Sequence, residues 1–74
     1  MNKYLWAEYR DNVGYPTIKT IIARNYTNAL EKIAEHYSEI FDDEISYTDW
    51  DTLAEALEDF GVEIGDKLLD VEEL

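Results

Sequence analysis

Seventy-four residues is the length of one domain, read here as a single unit over residues 1–74, and at that size one core supplies only about 3–5 kcal/mol of net stability. The chain has no cysteine, which excludes disulfides, thiolate metal sites and cysteine nucleophiles and suits a reducing compartment. Eighteen acidic residues against six basic ones give a net charge of −12, which excludes direct binding to nucleic acid or anionic lipid, since both are held by basic faces.

The opening run Lys3-Tyr4-Leu5-Trp6-Ala7-Glu8-Tyr9-Arg10 is rich in aromatics and carries none of the apolar length of a signal peptide, so a cytoplasmic location is expected. No stretch of the sequence is long and apolar enough to cross a membrane. Asp11-Asn12-Val13-Gly14-Tyr15-Pro16 then signals a turn, and the β-branched run Thr17-Ile18-Lys19-Thr20-Ile21-Ile22-Ala23-Arg24 completes an N-terminal β-hairpin. Period 2 puts Leu5, Ala7 and Tyr9 on one face of the first strand and Tyr4, Trp6 and Glu8 on the other. Large apolar side chains therefore fall on both faces, one to meet a helix and the other free for a partner.

Asn25 or Thr27 can cap a first helix, in which Tyr26, Leu30, Ile33, Ala34, Tyr37, Ile40 and Phe41 recur at the spacing of one helical face. It should stop around Asp42-Asp43-Glu44, with Ile45-Ser46-Tyr47 as a connection or brief strand. Thr48 is the expected cap of a second helix that buries Trp50, Leu53, Ala54, Leu57 and Phe60 and ends at Gly61. Beyond it, residues 62–71 suit either a hairpin around Gly65-Asp66 or a short closing helix. The fold class is α+β: an N-terminal β-hairpin packed on two amphipathic helices, with a short C-terminal strand or helix.

Charge is distributed unevenly along this order. Between Ile33 and Asp66 there are twelve Asp or Glu residues and no Lys or Arg. A solvated helical face normally interleaves opposite charges, because like charges at i, i+4 cost about 0.2–0.5 kcal/mol per pair. Here Glu31 with Glu35, Glu35 with Glu39, Glu39 with Asp43, Asp51 with Glu55, and Glu55 with Asp59 are all like pairs. Glu39, Asp42 and Asp43, and Glu58 and Asp59, also stand at helix C-termini, where the macrodipole disfavours them. Local conflicts of this kind are characteristic of functional sites, with a plain solvated surface as the alternative.

Carboxylates climbing two helices a turn at a time, each step about 5–6 Å, present regularly spaced negative charge as a nucleic-acid backbone does. The reading is a nucleic-acid mimic that blocks the basic channel of a DNA- or RNA-binding protein such as a nuclease or restriction enzyme. Its expected partner-binding residues are Glu35, Glu39, Asp42, Asp43, Glu44, Asp51, Glu55, Glu58 and Asp59, with Tyr47 as an apolar anchor. The alternative, of another class, is a non-catalytic regulatory or structural protein that homodimerises through its hairpin aromatics.

In charge, size and helical acidity the chain resembles the small acidic inhibitors of restriction or CRISPR enzymes carried by phages and mobile elements. Residues 3–51 also resemble DpnD/PcfM-type small proteins through the strand–turn–strand, Ala23, Ala29-Leu30-Glu31-Lys32-Ile33, Tyr37, Glu39-Ile40 and Asp49-Trp50. That resemblance implies a mobile-element origin and no particular activity.

Other chemistry finds little support. A calcium loop started at Asp42 would need Gly at Tyr47 and Glu at Leu53, so Asp42, Asp43, Glu44, Asp49 and Asp51 suit only nonspecific divalent binding. His36 is the one histidine and is expected to border the core beside Lys32. Ser38 and Ser46 lack a base at a recognisable spacing, and no phosphate loop occurs. No cofactor, no metal and no catalysis are expected.

Overall fold

The computed structural model describes residues 1–10 and 14–74, and shows an antiparallel sheet with two helices on one face. Residues 11–13 of the expected turn lie outside the described residues. The middle strand is β1 (Asn2–Arg10), paired along one edge with β2 (Thr17–Ala23), Asn2 opposite Ala23 and Glu8 opposite Thr17. Helices α1 (Tyr26–Phe41) and α2 (Trp50–Glu58) follow, and then β3 (Val62–Ile64) and β4 (Leu69–Glu73). The N-terminal hairpin and two-helix architecture read from the sequence is present.

The tail takes the expected strand form, but not as a hairpin. Strands β3 and β4 each pair antiparallel with β1 and share its second edge, with Ile64 opposite Glu8 and Leu69 opposite Leu5. They trace one interrupted strand, with a register shift at Lys3/Tyr4, and make neither a hairpin nor a helix. The physical reason is the edge itself: nine residues of β1 present backbone donors and acceptors that need partners. Gly65 keeps the path close through the break, its N–H donating to Ala7 O at 2.9 Å. A Cβ there would stand 3.4 Å from the Ala7 Cβ.

Helix α1 starts where Asn25 Oδ1 accepts from Asn28 N at 2.8 Å, the side-chain cap expected of Asn at this position. It ends at Asp42, whose φ of 51° is left-handed, with Asp43 N donating to Ser38 O at 3.2 Å. The cap of α2 is Asp49 and not Thr48: its carboxylate accepts from Thr52 N at 2.9 Å while Thr52 Oγ1 accepts from Asp49 N at 3.0 Å. This reciprocal box satisfies two orphan donors and sets a negative charge at a helix N-terminus, which a threonine would not do. Gly61, at φ 80°, turns the chain out of α2 into β3.

Between the layers lie Tyr4 and Trp6 from β1, Leu30, Ile33, Ala34 and Tyr37 from α1, Trp50, Leu53 and Leu57 from α2, and Val62 and Ile64 from β3. Two residues of the expected α1 stripe are outside this core, Tyr26 at 43% and Ile40 at 49% exposure. They sit in the first and last turns, while Ala29 and Leu30 make the buried contact at the start of the helix. Ile45-Ser46-Tyr47 forms no strand; Ile45 is buried and Tyr47 packs partly against the core.

Candidate functional site

The acidic stretch becomes a surface because each helix has only one buried face. Sequence positions 30, 33, 34 and 37 turn α1 inward, which leaves Glu31, Glu35 and Glu39 on the solvent side. In α2 the inward residues Trp50, Leu53 and Leu57 likewise leave Asp51, Glu55 and Glu58 outside. All twelve acids between Ile33 and Asp66 are exposed. Among the described residues none of the twelve is ion-paired, the one salt bridge being Glu8 with Arg10.

The expected contact residues separate into two groups. Glu35, Glu39, Asp42, Asp43 and Glu44 line one groove of about 370 Å³ around the C-terminal turn of α1, with Ser38 among them. Asp51, Glu55 and Glu58 line a second, of about 350 Å³, along α2. Asp59 and Tyr47 line neither of these grooves, and half-buried Tyr47 is less free to anchor a partner than expected. Sequence periodicity missed Glu63 and Asp66, which join the second group because β3 returns alongside α2. The signal available was Gly61, whose reversal of the chain brings the tail back beside the helix.

A third groove, about 390 Å³, has Tyr26, Trp50 and Leu68 in its wall and Asp49, Asp51, Asp66 and the cation Lys67 around them. Burial, then the charges of Asp49 and Asp51, push the Tyr26 phenol above its ordinary value. Among the described residues, no three His, Asp or Glu side chains are placed to hold a metal ion together. His36 is exposed, its ring edge-on to that of the core residue Tyr37 at 5.2 Å.

One acid behaves differently. Glu8 faces the helices and is 4% exposed. Tyr37 OH donates to Glu8 Oε2, Arg10 Nε donates to Oε1 at 3.1 Å, and Trp6 Nε1 donates to the Tyr37 oxygen at 3.2 Å. Burial alone would raise the Glu8 carboxyl, but the hydrogen bonds from Tyr37 and Arg10 and the charges of Arg10 and Lys19 outweigh it and leave the group below its ordinary value. Burial and the bond to Glu8 push the Tyr37 phenol up. Near neutral pH the pair is held as carboxylate and phenol, each stabilising the other's state. This network fastens β1 to α1, and neither residue lines the three grooves described above.

Comparison with protein families, with curated proteins and with solved structures finds no match. The surface must therefore be read from its own chemistry.

Proposed function

We propose that this chain is a binding protein and not a catalyst, and that it acts as a nucleic-acid mimic, occupying the basic channel of a DNA- or RNA-binding protein. The observation that carries this reading is the set of twelve exposed, unpaired carboxylates between Ile33 and Asp66, with no cation among them in sequence. A surface kept for solubility alone would be stabler with lysines interleaved at i, i+4. A channel lined by Lys and Arg supplies the missing cations on association, speeding encounter and fixing register. The two groups, at the end of α1 and along α2, are the contact surfaces, and Asp66 extends the second.

A phage or mobile-element origin and a cytoplasmic target accord with this reading through the class resemblance in charge and size. Charge reversal tests it. Replacing Glu35, Glu39, Glu55 and Glu58 with lysine should abolish partner binding while the fold is retained, and wild-type affinity should fall steeply as salt rises. Binding that survives the four replacements, or is indifferent to salt, contradicts the mimic.

A further inference from the structure

The sheet has a second face. Cross-strand neighbours share a face, so β1 to β4 place Lys3, Leu5, Ala7 and Tyr9 with Ile18, Thr20 and Ile22, and with Glu63, Leu69 and Glu72, on the side away from the helices. No element of the described chain covers it: Ile18 is 57% exposed, Leu69 46%, Tyr9 41% and Ile22 39%. The opposite face is closed over Tyr4 and Trp6, so the hairpin's large aromatics are unavailable there and the free face is mainly aliphatic.

We infer that this face is the interface of a homodimer, packed sheet to sheet about a twofold axis that crosses β1 between Leu5 and Ala7. Charge decides the occupant. The face carries Lys3 against Glu63 and Glu72, a net of −1 out of the chain's −12, so it is the side on which a second, equally acidic copy meets least repulsion.

The relief is self-complementary. Leu5 and Leu69, opposite one another, form a ridge. Ala7 and Gly65, joined by their hydrogen bond, form the shallow dip beside it. Turning one copy end for end seats each ridge in the other's dip and brings Lys3 of one copy toward Tyr9 and Glu63 of the other. Such an isologous contact closes on itself and gives a helix–sheet–sheet–helix sandwich with both acidic layers outward. Pairing through the open edge of β2 is disfavoured, because the Lys32 ammonium already donates to the Ile22 carbonyl at 2.9 Å, a lysine guard against strand addition.

The interface is small. Nine residues of β1 and three strand positions across give a footprint of about 30 by 14 Å, or roughly 400 Å² per copy in plan. At about 800 Å² in total the pair falls below the span of stable specific interfaces, among weak and transient ones, so the dimer should be reversible and concentration-dependent.

Sedimentation velocity over a concentration series tests the inference. Wild type should shift from monomer to dimer, and the dimer should tighten as salt is raised, since salt screens repulsion between the acidic copies. Partner binding by the mimic surface has the opposite salt dependence, so failure of one leaves the other standing. Ile18→Lys with Leu69→Lys, both at exposed positions, should remove the dimer without loss of secondary structure by circular dichroism. The chain has no cysteine, so a copy with Leu5→Cys mixed with one carrying Ala7→Cys should form the mixed disulfide faster than either forms its own. A protein that stays monomeric at every concentration, a dimer untouched by the two lysines, or one that dissociates as salt rises overturns it. So does a mixed disulfide no faster than the like pairs.

Discussion

Removing one oxygen from the core should cost this protein most of its stability. Tyr37→Phe keeps the ring but deletes the hydroxyl that donates to Glu8 Oε2 and accepts from Trp6 Nε1. A hydrogen bond to a charged group contributes about 1.5–3 kcal/mol, and a buried N–H left without an acceptor costs about 1–3 kcal/mol. The sum, about 3 kcal/mol or more, compares with the roughly 3–5 kcal/mol a domain of this size commands. At about 4–8 °C per kcal/mol, the melting temperature should fall by about 12–24 °C.

The pH dependence carries a second signature of the same bond. Folded Glu8 sits below its ordinary value of 4.5. Its contribution is thus complete above that value and is lost as pH falls through the lowered folded one. Without the Tyr37 donor the folded value rises toward the unfolded one, so the variant should lose less stability than wild type between neutral pH and pH 3. Urea titrations followed by Trp fluorescence, between neutral pH and pH 3, measure both effects. A loss below about 1 kcal/mol, or parallel acid limbs for the two proteins, would refute the role given to the network.

Other expected outcomes concern the surface and the helix ends. Glu35→Lys turns two like-charge pairs, with Glu31 and Glu39, into opposite ones and should raise stability by about 0.8–2 kcal/mol in thermal melts at low salt, while weakening partner binding. Asp49→Ala removes the cap of α2 and should cost about 0.5–2 kcal/mol, read by circular dichroism. Asp42→Gly relieves the left-handed residue and removes a charge opposed to the dipole, so chemical denaturation should show a gain of up to about 1 kcal/mol. Above pH 10, unfolded Tyr37 ionises while the folded phenol, with its raised value, does not. Stability should accordingly fall with rising alkalinity, and less so in Tyr37→Phe.

The helices and the hairpin were legible because their signals are local. Leu30, Ile33, Ala34 and Tyr37 mark a face at helical spacing, and Asn25 and Gly61 punctuate the helices whatever surrounds them. What period 2 in β1 left open was which face the helices cover, since Leu5 and Tyr4 are both apolar; the answer depends on packing across the whole domain. The tail was illegible for a related reason. Residues 62–73 carry a turn signal at Gly65-Asp66, but the unfilled edge of β1 outweighs it, and an edge is not a property of the segment that fills it. Thr48 and Asp49 are both capping residues, and only the position of Thr52, three residues after Asp49, separates them. In the candidate site, every expected acid is exposed as periodicity requires, yet their division into two groups follows from where α1 ends and where β3 returns. Glu8 reads in sequence as one more strand residue, because its buried partner Tyr37 lies 29 positions away.

The most direct test of the central claim is capture of partners on the immobilised protein from a lysate of its source cells, with a duplicate column carrying the Glu35, Glu39, Glu55 and Glu58 to lysine replacements. The account predicts a basic DNA- or RNA-binding protein held by the wild-type column, released by salt and by competing nucleic acid, and absent from the charge-reversed one. Retention on both columns alike, or a partner that nucleic acid does not displace, would contradict it.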